Sequence, residues 1–209
     1  MENVQYTIKT TDVTLRFHFD VNHNDRILII GKSGVGKSTL LKIIDGNIIP
    51  DKGKVVELIN KRIFLNPFND IAYINQTPYI FSASIMENIT LFDNKVDYHK
   101  VQKILNEVNL NSFSKEKLED IKLEKNGISV SEGQKQKIEI ARALFSHKSL
   151  ILADEITANL DRNNAKKIRD LLFRIPNPVI EVAHHFNEND RRYTKVFRLD
   201  ADGSLKRIR

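Results

Sequence analysis

The run Gly31-Lys32-Ser33-Gly34-Val35-Gly36-Lys37-Ser38-Thr39 fits the spacing G-x-x-x-x-G-K-[ST]. Its glycines let the backbone fold closely around phosphates, so that N–H groups and the following helix N-terminus face negative charge. Lys37 is spaced to reach the β- and γ-phosphates, and Ser38 offers a hydroxyl oxygen to magnesium. A second constellation lies further along, where the apolar run 150–153 delivers Asp154 and Glu155 at its carboxyl end, the edge at which open α/β sheets bind ligands. Asp154 can hold magnesium directly or through water. Glu155 can polarise an attacking water as general base. Kinases, GTPases and ATPases share the phosphate cradle, and the acidic strand is what narrows the chemistry toward hydrolysis.

These groups need a strand before Gly31, a helix after it and a strand before Asp154. The opening of the chain reads as strands at 4–8, 13–21 and 26–30, rich in β-branched and aromatic residues, with a turn at 22–25. The third strand runs into Gly31. From Gly36 the pattern becomes helical, with Leu40, Leu41 and Ile44 on one side and a stop near Gly46. Short strands follow at 54–59 and 71–75. Val101, Ile104, Leu105 and Val108 mark a one-sided helix, a second begins near Ser131, and Ala165, Ile168, Leu171, Leu172 and Ile175 mark a third before Pro176. Apolar strands at 149–153 and 179–183 alternate with these helices, and Asp202-Gly203 joins a closing hairpin. The fold expected is α/β, a mostly parallel sheet core beside an antiparallel β lobe.

Residues 129–144, Ser-Val-Ser131-Glu132-Gly133-Gln134 and a basic continuation to Leu144, closely resemble the signature segment of the ATP-binding cassette family, usually LSGGQ. Glu132 and Val130 stand where the family usually has glycine and leucine. Ser131 with Gln134 also makes a capping box, but capping alone needs no Gly133. Other segments follow the family's order. Residues 74–78 resemble the glutamine loop, 81–89 the exporter-type stretch that receives a coupling helix, and Ala158-Asn159-Leu160-Asp161 the D-loop, with Asp161 also suited to cap the next helix. His184 follows a strand as the family's switch histidine does.

The resemblance implies a P-loop NTPase fold over 1–209, with an α-helical signature subdomain inserted at about 78–147. It implies an ATP-hydrolysing domain of an exporter-type transporter, using ATP and Mg2+. Gly31 to Thr39 and Gln76 would bind ATP; Ser38, Gln76 and Asp154 would hold magnesium; Glu155 and His184 would be catalytic. Ser131, Gly133 and Gln134 would close on ATP held by a second nucleotide-binding domain, in a homo- or heterodimer with Asp161 at its interface. The other partner implied is a transmembrane domain, at the cytoplasmic face of the cell membrane.

Composition is compatible with this and excludes some alternatives. Of 209 residues 41% are hydrophobic and 29% charged, an ordinary globular balance. The absence of cysteine excludes a disulfide scaffold and a cysteine zinc site. No stretch approaches the ~18 apolar residues of a spanning helix, and the first residues do not read as a secretory signal. The net charge of +6 is scattered, so charge alone cannot choose a partner; the family resemblance implies none of nucleic acid. A soluble cassette ATPase acting on nucleic acid or ribosomes is the alternative that charge permits, but such proteins typically carry coiled-coil insertions or a second cassette. A non-hydrolysing ATP-binding module is a further alternative, disfavoured by Glu155 and His184. Adjacent strand residues point to opposite faces, so His184 and His185 are not expected to share a metal.

Overall fold

The structure is a computed structural model that describes residues 1–59, 62–65, 70–93, 96–110, 123, 130–158, 160–183 and 190–209. Strands β1 (Glu2–Ile8) and β2 (Val13–Phe17) pair antiparallel, with Tyr6 opposite Leu15. β3 (Arg26–Ile30) leads into helix α1 (Lys37–Ile44). β4 (Lys52–Lys54) joins the other edge of β1, while β5 (Val56–Ile59) and β6 (Arg62–Leu65) form a separate antiparallel pair. β7 (Ile71–Ile74), α2 (Ile85–Thr90), α3 (Tyr98–Glu107) and α4 (Glu132–Phe145) follow. The chain then runs through β8 (Leu150–Asp154), α5 (Arg162–Arg174), β9 (Val179–Val182), β10 (Lys195–Leu199) and β11 (Leu205–Arg207).

Six strands form one sheet in the order β11-β10-β3-β9-β8-β7. The pairs β10–β3, β3–β9 and β9–β8 are parallel, and β11 returns antiparallel on β10. The expected α/β architecture is therefore present, a parallel core with antiparallel strands beside it. Register matters for function, because Val182 stands level with Ile29 on one side and Asp154 on the other. The carboxyl ends of β3 and β8 consequently reach the same edge of the sheet. Near-continuous apolar runs suit strands covered on both faces. Ile27, Ile29, Leu152, Ile180, Val182 and Phe197 share one core cluster with Leu40, Leu41 and Ile44 of α1. Each such side chain contributes roughly 1.5–3 kcal/mol by leaving water, and together they fix where α1 starts.

Two expected strands are shorter than their β-rich sequences suggest. β2 stops at Phe17, although the pattern runs to residue 21; beyond it the Phe19 carbonyl accepts the N-terminal ammonium and the Asp20 carbonyl the Lys195 ammonium, each at 2.9 Å. The expected strand at 54–59 is broken at Val55, and its two pieces pair in different sheets.

The chain divides into two compact units. The first takes Met1–Tyr73, Ser149–Glu155 and Pro176–Arg209; the second takes Ile74–Lys148 and Ile156–Ile175. In the second, α2 and α3 both pack on α4. Helix starts there are set by side-chain caps. Ser84 with Glu87 and Ser131 with Gln134 form capping boxes, and Asp161 accepts the N–H groups of Asn163 and Asn164. Among the described residues no helix is long and apolar enough to cross a membrane.

Candidate active site

Where β3 ends, the chain turns through residues 31–36 and enters α1 with Gly36 as N-cap. Gly36 has φ 102, and a Cβ there would lie 2.7 Å from Ile8 Cδ1 and 3.0 Å from Leu15 Cδ2. Glycine is thus favoured by backbone conformation, and a side chain there would also have to displace the ends of Ile8 and Leu15. The first turn of α1 carries no acidic residue, so the partial positive charge of its N–H groups is left for an anion. Lys37, the first residue of that turn, is only 4% exposed. Its Nζ donates to the Gly31 carbonyl at 3.1 Å and the Lys32 carbonyl at 2.9 Å, which bends the ammonium back over the loop. Burial pushes the Lys37 pKa below the usual lysine value, opposed by the nearby carboxylates of Glu155 and Asp154.

Across β9 from this loop, β8 delivers the acidic pair. Ser38 Oγ donates to Asp154 Oδ1 at 3.1 Å, and the Tyr73 hydroxyl donates to Oδ2 at 2.9 Å. Asp154 is 7% exposed, so the two bonds hold a buried carboxylate in one orientation. Tyr73 was not anticipated. Its only sequence signal is one polar tip on the otherwise apolar strand β7, and burial and the Asp154 charge raise its pKa, which keeps it a donor. Glu155 leaves the strand with φ 49 while its N–H still donates to Val182 O at 3.0 Å. A left-handed backbone at a non-glycine residue costs on the order of 1 kcal/mol. Here it places Glu155 Oε1 3.9 Å from Lys37 Nζ.

The first unit therefore gathers Gly31 to Thr39 with Asp154 and Glu155 at one sheet edge. Its oxygen donors can be tested against magnesium. Ser38 Oγ and Asp154 Oδ1 converge within 3.1 Å, and both are the hard oxygens that magnesium selects. The donor chemistry fits the ion, which Ser38 and Asp154 would hold.

Other predicted site residues lie in the second unit. Gln76 is exposed just after β7; Ser131 N-caps α4, and Gly133 and Gln134 lie in its first turn. Glu132, at the position where glycine is usual, is paired with Lys135 Nζ at 3.2 Å on the helix surface. Asp161 is exposed and caps α5. His184, His185 and Asn159 lie outside the described residues.

A family model described as ABC transporter matches residues 15–158. The chain belongs to the ABC transporter family. The match takes in both the phosphate loop and the acidic strand, and with it the ATP-binding property of the family. Similar proteins include a glutathione/L-cysteine transport system ATP-binding/permease protein of Bacillus subtilis, 28% identical over 84% of this chain and 32% of its own length. A sublancin-168-processing and transport ATP-binding protein of Bacillus subtilis is 32% identical over 85% of this chain and 26% of its own. The pediocin PA-1 transport/processing ATP-binding protein of Pediococcus acidilactici is 33% identical over 80% and 24%. This ABC domain thus spans no more than about a third of the relatives it matches. Its fold is that of a bacterial Atm1-family ABC exporter with ATP bound, with a TM-score of 0.80, 22% identity and coverage of 98% of this chain and 37% of the other.

Proposed function

We propose that the chain, over 1–209 with a helical signature subdomain at about 78–147, is the ATP-hydrolysing domain of an ABC exporter. Two copies, or one copy and a related domain, would associate head to tail, each ATP lying between Gly31 to Thr39 of one and Ser131, Gly133 and Gln134 of the other. Closing and opening would be passed to a transmembrane domain, with this chain at the cytoplasmic face of the membrane. The relatives named above carry transport and permease functions in chains much longer than this one, and that supports the exporter reading.

The observation that carries hydrolysis is the pairing at the end of β8, where Asp154 is held by Ser38 and Tyr73 while Glu155 stands beside Lys37. In the reading proposed, Lys37 leaves its loop carbonyls for the β- and γ-phosphates, and the loop N–H groups take the remaining phosphate oxygens. Ser38 and Asp154, with Gln76, would hold magnesium. When bound, the ion supplies neutralisation of charge on the phosphate oxygens. Glu155 would accept a proton from the attacking water, His184 would contact the γ-phosphate, and Asp161 would meet the partner domain. Catalysis would rest on positioning and fixed charge.

Phosphate release by the purified chain tests this. Glu155→Gln should lower turnover by about 10²–10⁴-fold, the usual weight of a general base, while ATP still binds. Equal rates for the two proteins would remove Glu155 from the mechanism.

A further inference from the structure

One stripe of α4 grips the segment on either side of Gln76. Gln136, Glu139 and Arg142 follow one another at three-residue spacing, so they share a helix face. Asn75 Nδ2 donates to Glu139 Oε1 at 3.1 Å, and Gln136 Nε2 donates to the Asn75 carbonyl at 3.4 Å. Arg142 Nη2 donates to the Tyr79 carbonyl at 3.0 Å, and its Nε to the Asn88 carbonyl at 2.8 Å. Asn88, fully buried, in turn donates to the carbonyls of Phe81, Ala83 and Ser84. Both ends of the stretch 75–79 are thereby tied to α4, and Gln76 lies inside it.

Glu139 is an expensive way to fill a helix face. It is 3% exposed, and its Oε2 is buried without a hydrogen-bond partner. Burying a carboxylate oxygen in this way carries a desolvation penalty that an alanine would not. The polar groups acting on it are the Asn75 amide and the Arg142 charge one turn on. What the carboxylate does is hold the Asn75 amide.

We propose that Glu139 is a positioning residue for Gln76: by holding Asn75 on α4 it fixes the backbone from which Gln76 projects, an inference that rests on the magnesium role proposed for Gln76. Gln136 supports the same junction through the Asn75 backbone, and Arg142 fixes the far end.

Titration calorimetry of the chain with a non-hydrolysable ATP analogue, in magnesium and again in EDTA, reads this directly. In the intact chain magnesium should strengthen binding. Glu139→Ala and Asn75→Ala should each cut that gain about 10-fold, the low end for loss of outer support for a metal ligand, with the EDTA affinity within about 2-fold of wild type. The double variant should be no worse than either single, because the two residues act as one unit. Glu139→Gln, whose amide oxygen still accepts from Asn75, should keep the gain. Asn75 is exposed, so Asn75→Ala carries the test if Glu139→Ala does not fold. A full magnesium gain in Asn75→Ala, or equal losses with and without magnesium, overturns the proposal. Gln76→Ala separates the two levels. If it abolishes the gain while the Glu139 and Asn75 variants keep it, only the positioning role falls; if it leaves the gain intact, the role of Gln76 itself falls.

Discussion

The two ends of the central sheet each hold a buried lysine, and the two are shifted in opposite directions. At the amino end, Lys195 Nζ donates to Asp25 Oδ2 at 2.8 Å and to the carbonyl and carboxylate of Asp20, both at 2.9 Å. Asp25 also accepts the Asn22 N–H at 2.7 Å and the Thr194 hydroxyl at 2.9 Å. Burial by itself lowers the Lys195 pKa, but the hydrogen bonds and charges of Asp25 and Asp20 outweigh it and the net shift is upward. At the carboxyl end the Lys37 ammonium donates to two loop carbonyls, with the Glu155 carboxylate at 3.9 Å, and burial wins. One lysine is spent on the fold and the other is held, at a cost to the fold, where an anion can reach it.

The sharpest way to break this contrast is to neutralise each lysine in turn. Lys195→Met leaves Asp25 buried without its cation and should lower unfolding free energy by about 3 kcal/mol, read by urea denaturation. Affinity for an ATP analogue should stay at the wild-type value. Lys37→Met should do the reverse. Its charged form is disfavoured by folding, so stability should hold or rise, while affinity falls about 10- to 100-fold with the loss of charge-assisted phosphate contacts. A Lys37→Met protein that is less stable yet binds normally would erase the distinction.

A smaller effect sharpens it through pH. Burial raises the Asp25 pKa, but the bonds from Lys195, Asn22 and Thr194 bring it below the ordinary 3.8, and Asp20 is lowered chiefly by its bond from Lys195. A depressed carboxylate contributes stability that is fully present above its unfolded value and is lost as pH falls through its folded value. The raised Lys195 contributes stability present below its unfolded value and lost as pH rises through its folded one. Stability from this network should therefore be flat across neutral pH and fall at both extremes. In Lys195→Met the acid fall should be shallower, which urea midpoints across the acid range would measure.

How much of this could be read in the sequence follows the range of the interactions. The phosphate loop, the acidic strand and the caps at Ser131 and Asp161 are local, and their spacing alone carries them. The parallel core was legible because apolar runs of strand length alternate with helical periods. Tyr73 and Glu139 were not legible, since each acts through a partner distant in sequence: 81 positions for Tyr73 and Asp154, 64 for Asn75 and Glu139. The partner of Asp20 beyond β2 is equally remote: Lys195 reaches its carbonyl across 175 positions, and no local propensity reports it.

The signature glycine gives the smallest effect and the cleanest separation of fold from function. Gly133 lies in the first turn of α4, and a Cβ there would meet only Leu160 Cδ2, at an ordinary 3.8 Å. No positive φ and no close contact requires glycine at this place, unlike Gly36. In a helix glycine is worse than alanine by up to about 1 kcal/mol, so the fold is better served by a side chain. Gly133→Ala should therefore raise stability by about 0.5 kcal/mol, visible as a small increase in melting temperature. If ATP held by a partner closes on this turn, the same methyl group should weaken ATP-dependent dimer formation, followed by sedimentation in a Glu155→Gln background where ATP persists. A destabilised but normally dimerising Gly133→Ala protein would place the glycine in service of folding and take the helix start out of the interface.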